Sequence, residues 1–293
     1  MTIPDASPAM AYFNGEILPK SEIRISPEDR GFLFADGVYE VVLAWNHRMY
    51  RRGEHMDRLR RSLAGLRLPV ADAELADLSA AADRLLETNG PSRGAATVYM
   101  QITRGAAPRK HAFPPGDVPP TIYATAAPFE IDEKAWRDGV ATVAVPDIRW
   151  ARCDLKTIGL SANVLAAQRA AEAGAKEALF VRDGFVMEGA HTSFAAVFDG
   201  VLRTYPECPH ILPGITRRAV LELCAKLGIP FREDPVALDR IGEADEAMIL
   251  GTTTEVMPVV RVDEIPIGDG TPGPLTRRLQ TALREEIRGE RAG

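Results

Sequence analysis

A lysine at the junction between two predicted elements is the first candidate for chemistry in this chain. Lys156 follows a strand pattern and precedes a helix pattern, and the residues after it, 157–160, are mostly small or apolar. Desolvation by such neighbours lowers the pKa of a lysine and makes its amine a nucleophile. Lys156 is therefore a candidate nucleophile, and an ordinary surface lysine is the alternative that the spacing leaves open.

A glutamate that interrupts an apolar strand end is the second candidate. Glu188 follows the apolar residues 185–187 and precedes Gly189. A buried carboxylate needs a cation or a hydrogen-bond donor beside it, so Glu188 in the interior would bind such a group. A turn residue exposed at the end of a hairpin is the alternative.

Two further segments have the composition of an anion site. Ile215 and Thr216 begin a predicted helix, and a helix N-terminus offers unpaired N–H groups and the positive end of a dipole. Gly251 and Thr252 begin a threonine-rich turn after a buried strand pattern, so hydroxyls and amides there could bind the same anion. Simple helix capping and a simple polar turn remain the alternatives.

Short strands and helices must position these residues. Alternating or continuous apolar residues predict strands at 38–45, 96–103, 121–126, 140–145, 178–187, 193–205 and 247–250, several of them paired in hairpins. Helical spacing predicts helices near 56–66, 75–86, 161–173, 215–227 and 275–287. Apolar Val164, Leu165 and Ala171 fall on one side of the third of these helices. Hairpins mixed with helices indicate an α/β or mixed α+β fold.

The length of 293 residues indicates two domains. We predict a flexible extension over residues 1–10, a small α/β domain over 11–127, a linker at 128–133 and a larger domain over 134–293 that carries Lys156. Residues 105–120 hold five prolines, which predicts an irregular loop of the kind that often has a function.

Composition excludes several classes of protein. Lys plus Arg is 35 and Asp plus Glu is 41, which gives a net charge of −6 and argues against a general nucleic-acid binder. No apolar run reaches the roughly 18 residues of a membrane span, and the first residues lack the pattern of a secretory signal. Three cysteines fit a reducing compartment, so we expect a cytoplasmic protein.

Two motifs that suggest other chemistry have the wrong context. Residues 268–273 spell G-x-G-x-x-G, but they lie late in the chain, include a proline and precede no ribose-binding acid. Cys208 and His210 have no second ligand pair nearby in the sequence. We therefore expect neither a dinucleotide site nor a metal site.

Taken in order along the chain, the four candidate segments resemble those of fold-type IV pyridoxal-phosphate enzymes, and most closely those of D-amino-acid transaminases. The resemblance runs from Tyr12 to about Ile287. Six further stretches carry it: Glu28-Asp29-Arg30-Gly31, Asp36-Gly37-Val38-Tyr39-Glu40, Glu54-His55-Met56-Asp57-Arg58-Leu59, Thr103-Arg104-Gly105, Pro108-Arg109-Lys110-His111 and Arg152-Cys153-Asp154-Leu155-Lys156. It implies a mixed α/β fold of two domains with the cofactor at the domain interface.

The resemblance implies pyridoxal 5′-phosphate as the cofactor. Lys156 would hold it covalently and then move a proton as the catalytic base. Glu188 would face the pyridine nitrogen and keep it protonated. The residues implied in phosphate binding are Arg58, Ile215, Thr216, Gly251 and Thr252.

The implied reaction is a ping-pong transamination between a D-amino acid, such as D-alanine, and a 2-oxo acid, such as 2-oxoglutarate. Tyr39 would border the substrate, while Arg109 and His111 would reach in from a neighbouring subunit to bind its carboxylate, which implies a homodimer. Other fold-type IV activities remain the alternative: L-branched-chain transaminase, (R)-amine transaminase or aminodeoxychorismate lyase. A protein of this fold without catalysis is a further alternative.

Two positions depart from the pattern of D-amino-acid transaminases. His191 stands in a segment that often holds small hydroxyl residues, and Gly251 stands where a serine often binds phosphate. Both departures bear on cofactor affinity and on the pH profile more than on the type of reaction.

Overall fold

The computed structural model describes residues 9–289, which separate into two compact units. Unit 1 comprises residues up to Glu130 together with Leu155–Gly159, and unit 2 comprises Ile131–Asp154 and the residues from Leu160 onward. The predicted extension over residues 1–10 lies mostly outside the described residues, and Met10 already belongs to a strand.

Unit 1 is built on an antiparallel sheet covered by helices. Its strands are β1 (Met10–Phe13), β2 (Glu16–Pro19), β3 (Gly37–Trp45), β4 (Arg48–Met49), β5 (Ala95–Thr103) and β6 (Thr121–Pro128), in the order β2-β1-β6-β5-β3-β4. Its helices are α1 (Arg30–Phe34), α2 (Arg52–Gly65) and α3 (Asp72–Asn89), with a 3-10 turn at Lys20–Glu22.

The core of unit 1 forms where helical and strand periodicities meet. In α2, Met56, Leu59 and Leu63 are buried on the face predicted from their spacing. They share one hydrophobic cluster with Val38 and Val42 of β3. Each such side chain contributes roughly 1.5–3 kcal/mol of burial free energy, so this cluster fixes α2 on the sheet.

The segment Leu155–Gly159 returns to unit 1 for five residues. Thr157 forms an antiparallel bridge with Val38 at the start of β3. The side chain of Leu155 lies against Gly65, where a Cβ would come within 2.4 Å of it. We expected Lys156 in the larger domain from its order in the sequence, but its segment packs with unit 1.

Unit 2 is built on a mixed sheet with helices. Its strands are β7 (Val140–Pro146), β8 (Glu177–Arg182), β9 (Phe185–Gly189), β10 (Ser193–Phe198), β11 (Val201–Thr204), β12 (Phe231–Arg232), β13 (Val236–Ala237), β14 (Glu246–Gly251), β15 (Glu255–Val262) and β16 (Ile265–Pro266). Its helices are α4 (Glu133–Asp138), α5 (Ser161–Glu172), α6 (Ile215–Leu227) and α7 (Pro274–Arg288), with a 3-10 turn at Leu238–Glu243.

The strand order in unit 2 is β12-β11-β10-β14-β15-β7-β8-β9-β13, with β16 paired to β15. Strand β7 runs parallel to both β8 and β15, and β11 runs parallel to β12, whereas the other pairs are antiparallel. The mixed α/β fold predicted from the sequence is confirmed. Glu188 lies near the end of β9, Gly251 ends β14 and Ile215 begins α6.

Helix α5 buries a face that its larger apolar residues do not occupy. Val164 and Leu165 are 64% and 62% exposed, and the buried residues of this helix are Ala166 and Ala170. The two alanines pack in a cluster with Phe180 of β8.

Within the described residues, every helix is too short or too polar to cross a membrane.

Candidate active site

The backbone of Lys156 is held from both sides inside unit 1. The N–H of Tyr39 donates to the Lys156 carbonyl (3.0 Å), and the N–H of Lys156 donates to Oγ of the buried Ser62 (3.0 Å). The Lys156 Nζ lies 4.2 Å from the centroid of the Tyr39 ring. Strand β3 and helix α2 therefore fix the predicted nucleophile beside the predicted substrate tyrosine.

A buried ion cluster lies next to Tyr39 along the chain. Glu40 accepts two hydrogen bonds from Arg58, at 2.7 and 2.9 Å, and one from Nδ1 of His55 at 2.9 Å. Burial alone would raise the pKa of Glu40, but Arg58 and His55 lower it to about 2. Burial lowers the pKa of His55, although Glu40 opposes this shift. The two-point contact fixes the plane of the Arg58 guanidinium.

A second arginine cluster supports the proline-rich loop. Asp36 accepts hydrogen bonds from Nε of Arg30 (2.8 Å) and Nε of Arg104 (2.7 Å). Although burial opposes the shift, these two arginines hold the pKa of Asp36 below its ordinary value. The other end of Arg30 donates to the Lys110 carbonyl at 2.6 Å and to the His111 carbonyl at 3.4 Å.

Arg109 and His111 are exposed on this loop and share one aromatic contact. The guanidinium carbon of Arg109 lies 5.2 Å from the centroid of the Phe34 ring, and the His111 ring centroid lies 5.4 Å from it. Arg30 lies 4.9 Å from the same ring. The pair singled out in the sequence is thus together in space, with both side chains open to solvent.

In unit 2, Glu188 is buried and hydrogen-bonded. The N–H of Leu212 donates to both carboxylate oxygens, at 3.2 and 3.1 Å, and Nη1 of Arg149 donates to Oε1. Arg149 also forms hydrogen bonds with both oxygens of Asp147, at 2.9 and 3.0 Å. Burial raises the pKa of Glu188 to about 7 even though Arg149 opposes the shift. The alternative of an exposed turn residue is excluded.

The two segments predicted to bind an anion also lie in unit 2. Ile215 and Thr216 are buried in the first turn of α6, whose N-cap is Gly214 and therefore has no side chain to accept from their amides. Thr252 is half-buried in the turn that joins β14 to β15, directly after Gly251.

His191 has a partner on a neighbouring strand. Its Nδ1 lies 2.8 Å from Oε2 of Glu177, while the imidazole itself is largely exposed. The buried Glu177 also accepts from Oγ1 of Thr192 and from the N–H of Ala190. His191 thus helps to fix the turn that follows Glu188.

The sequence reasoning missed the partners of its own candidates. Glu40 and His55 lie within the stretches that carry the family resemblance, and Arg149 lies just before one of them. The sequence predicted no role for any of the three. A signal was available for two of them: His55 and Arg58 are three residues apart on α2 and so share a face. Glu40 lies inside an apolar strand, and a buried carboxylate there requires a cation.

The profile of the amino-transferase class IV family matches residues 37–262. The D-alanine aminotransferase of Bacillus licheniformis is 40% identical over 280 residues, which cover 96% of this chain and 98% of that protein. The chain belongs to the amino-transferase class IV family. It is a pyridoxal-phosphate-dependent aminotransferase, as the resemblance implied.

Solved structures agree with this family. The branched-chain amino acid aminotransferase of Escherichia coli has a TM-score of 0.89 and 27% identity, and the match covers 97% of this chain and 96% of that one. A branched-chain amino acid aminotransferase from T.th., solved with pyridoxamine 5′-phosphate, has a TM-score of 0.86 and 27% identity, with coverage of 98% and 96%.

The residues of each unit fit the chemical groups of the cofactor. In unit 1, Lys156 carries a primary amine of the kind that would react with its aldehyde, and in unit 2 the buried Glu188 carries a carboxylate of the kind that would face its pyridine nitrogen. The amides in the first turn of α6 would suit the phosphate. At Gly214 a Cβ would lie 2.5 Å from the Ser193 Oγ, so the backbone there approaches its neighbour as only glycine allows. Among the described residues, no group of His, Cys, Asp and Glu could hold a metal ion.

Proposed function

We propose that the chain transfers the amino group of a D-amino acid, such as D-alanine, to a 2-oxo acid, such as 2-oxoglutarate. The observation that carries this proposal is the placement of Arg109 and His111, side by side and open to solvent on a loop held by Arg30. An arginine fork suits a carboxylate, and amino acids and 2-oxo acids share that group. The identity to a D-alanine aminotransferase supports the D configuration.

Lys156 and Glu188 perform the proton chemistry in this proposal. When bound, pyridoxal phosphate withdraws electrons from the α-carbon of the substrate and makes its proton labile. The Lys156 amine would act as the base that takes up this proton and releases it again during transamination. Glu188 would accept a hydrogen bond from the protonated pyridine nitrogen, and its contact with Arg149 favours the ionised carboxylate that this role requires.

The phosphate of the cofactor is assigned to five groups. The Arg58 guanidinium supplies a charge, and Glu40 holds it in one orientation. Thr216 and Thr252 supply hydroxyls, while Ile215 and Gly251 supply backbone amides. In this assignment the hydroxyls of Thr216 and Thr252 compensate for the missing serine at position 251.

The proposal includes a homodimer in the cytoplasm. Arg109 and His111 of one copy would bind the carboxylate of the substrate held by the other copy. Their exposure in the single chain fits this assignment, since the contact would form only on assembly. Tyr39 would border the same substrate, with its ring already placed beside the Lys156 amine.

An L-branched-chain transaminase is the second candidate, favoured by the likeness to branched-chain enzymes of known structure. A single-turnover absorbance experiment separates the two. The cofactor-loaded enzyme is mixed in turn with D-alanine, L-leucine and (R)-1-phenylethylamine, and the loss of the cofactor's visible band is followed. We expect fast conversion with D-alanine; conversion with L-leucine alone would move the chain to the second candidate.

The role of Arg109 has its own test. We expect Arg109→Gln to slow D-alanine conversion about 100-fold, which corresponds to one lost charge-assisted contact, and to leave (R)-1-phenylethylamine conversion, where it is measurable, unchanged. Lys110→Gln is the matched control, because it removes a positive charge from the next position of the same exposed loop. Equal losses with both substrates would contradict the carboxylate role.

A further inference from the structure

The turn that joins β14 to β15 ends on a residue with an unusual backbone. Gly251 pairs with Glu255 across the turn, and Glu255 has a φ of +54°. Left-handed backbone strains a residue with a long side chain, and glycine is the residue that adopts it most readily. The turn therefore ends on a strained glutamate where glycine would relieve the strain.

Glu255 differs from the comparable turn residues of unit 2. Within its described residues, Asp183, Asp199 and Asp263 are the other non-glycine residues with positive φ, and none of the three is buried. Aspartate tolerates this conformation because its short side chain bonds locally. Glu255 is buried instead, so both its backbone conformation and its burial are unfavourable.

The side chain of Glu255 is tied to two helices through Arg284. Nε of Arg284, on α7, donates to Oε2 of Glu255 at 2.7 Å. The guanidinium carbon of Arg284 lies 3.8 Å from the centroid of the Trp136 ring on α4. Its Nη1 donates to the exposed Glu133 at 3.1 Å. Stacking and hydrogen bonding leave the guanidinium one orientation, and that orientation fixes Glu255.

The arginine also balances charge. A buried carboxylate at the end of a turn would repel a dianionic phosphate bound to that turn. The contact with Arg284 neutralises Glu255, so the carboxylate can hold the backbone without repelling the anion. A residue strained in this way and held by its surroundings is characteristic of functional sites.

We propose that Glu255, held by Arg284, is a positioning residue that fixes the turn at residues 252–254 for the cofactor phosphate. The inference rests on the proposed role of Thr252 in phosphate binding. The proposed role of Glu255 requires no contact with cofactor or substrate, because it acts through the conformation of the turn. Its loss weakens the hold on the phosphate and leaves the hold on the pyridine ring intact.

Two ligands that differ only by the phosphate test this. Equilibrium titrations with pyridoxal phosphate and with pyridoxal, followed by absorbance, compare wild type with Glu255→Gly. The glycine relieves the backbone strain and frees the turn. We expect Kd for pyridoxal phosphate to rise about tenfold, the equivalent of one hydrogen bond to a charged group, while Kd for pyridoxal stays constant. An equal change for both ligands would overturn the proposal.

Two controls isolate the contact. Glu133→Gln removes the other carboxylate partner of Arg284 but leaves the turn alone, so Kd for pyridoxal phosphate should stay at the wild-type value. Glu255→Gln keeps an acceptor for the Arg284 Nε, so it should retain most of the affinity. If Glu133→Gln weakens binding as much as Glu255→Gly, the arginine acts through stability and the proposal fails.

A double-mutant cycle with Thr252→Val tests the route. If Glu255 acts through the turn, Glu255→Gly should cause a smaller loss in the Thr252→Val background than in wild type; additive losses would overturn the route. Should Glu255→Gly not fold, Arg284→Gln carries the same test with the same expected tenfold loss. A wild type that does not bind pyridoxal phosphate would instead contradict the proposed function itself.

Discussion

Each unit of this protein contains a buried glutamate that is hydrogen-bonded to an arginine. The pKa values of the two carboxyl groups are shifted in opposite directions from the ordinary value of a glutamate. In unit 1, Glu40 has its pKa lowered to about 2. In unit 2, Glu188 has its pKa raised to about 7. Both are buried, so burial alone does not explain the difference.

The difference comes from how each arginine is shared. Arg58 places two hydrogen bonds on Glu40, and His55 adds a third. Arg149 gives two of its hydrogen bonds to Asp147, and the charge of Asp147 itself raises the pKa of Glu188. Unit 1 therefore holds a permanently ionised carboxylate that orients an arginine, whereas unit 2 holds a carboxylate able to take up a proton.

The largest expected effect comes from removing the charge of Glu188. We expect Glu188→Gln to lower kcat/KM for D-alanine about 10³-fold, or roughly 4 kcal/mol, the loss typical of a group aimed at developing charge. Steady-state kinetics measures it, with Glu207→Gln as a control at a half-exposed glutamate of the same unit. A loss of kcat/KM below about tenfold would contradict the proposed role of Glu188 in keeping the pyridine nitrogen of the cofactor protonated.

Removing the charge of Glu40 should lower stability, in addition to any effect that it has through the orientation of Arg58. We expect Glu40→Gln to lower the free energy of unfolding by about 3 to 4 kcal/mol, because the buried Arg58 would lose the carboxylate charge of Glu40. Urea denaturation measures it. Asp83→Asn breaks the partly exposed pair with Arg52 and should change stability by less than about 1 kcal/mol. Equal losses of unfolding free energy in Glu40→Gln and Asp83→Asn would contradict the prediction that the buried ion pair contributes more to stability than the partly exposed one.

The two carboxylates should also respond to pH in opposite directions. Glu188 has a folded pKa of about 7 against an ordinary 4.5, so its stabilising contribution is complete below pH 4.5 and is lost as pH rises through 7. The shift corresponds to about 3 kcal/mol. Glu40 contributes above pH 4.5 and loses its contribution as pH falls towards 2.

Urea denaturation of the cofactor-free protein at pH 5 and pH 8 tests the Glu188 half of this comparison. Relative to Glu188→Gln, the wild type should be less stable at pH 8 than at pH 5 by up to about 3 kcal/mol. A stability difference that does not depend on pH would mean that Glu188 is ionised throughout this range.

The smallest expected effect concerns Arg149, which donates hydrogen bonds to both Asp147 and Glu188. Arg182 donates to Oδ2 of Asp147 at 3.1 Å. Without Arg182, Asp147 would interact more strongly with Arg149, and Arg149 would stabilise the ionised form of Glu188 less. We therefore expect Arg182→Gln to raise the pKa of Glu188 further and to lower the free energy of unfolding by about 1 kcal/mol or less. Carboxyl NMR titration of Glu188 measures the shift. A lower pKa would contradict the sharing of the arginine.

Local patterns in the sequence predict most elements but not their long-range partners. Helix α6 has the predicted bounds, because it begins after a proline and a glycine and ends before Gly228. The buried face of α5 was not predictable from its apolar residues. Small alanines line it, since Ala166 and Ala170 pack directly against the sheet, and the larger Val164 and Leu165 remain outside.

The sequence indicated candidate site residues one by one, but it did not indicate the charged groups that set their pKa values. The sequence predicted Lys156 and Glu188 from their neighbours, and the resemblance added Arg58. The pKa of Glu188 depends on Arg149 and Asp147, which are far from it in sequence. No periodicity encodes such a contact, because it is set by the pairing of β7, β8 and β9 rather than by any one strand.

The five residues of Leu155–Gly159 give the chain an order of assembly. During synthesis on the ribosome, the segment Leu155–Gly159 of unit 1 is made only after the first 24 residues of unit 2, Ile131–Asp154. Until then the N–H of Tyr39 lacks its acceptor on Lys156. A gene cut after Glu130 would therefore encode unit 1 without the segment that carries Lys156, so unit 1 is not a contiguous piece of the chain.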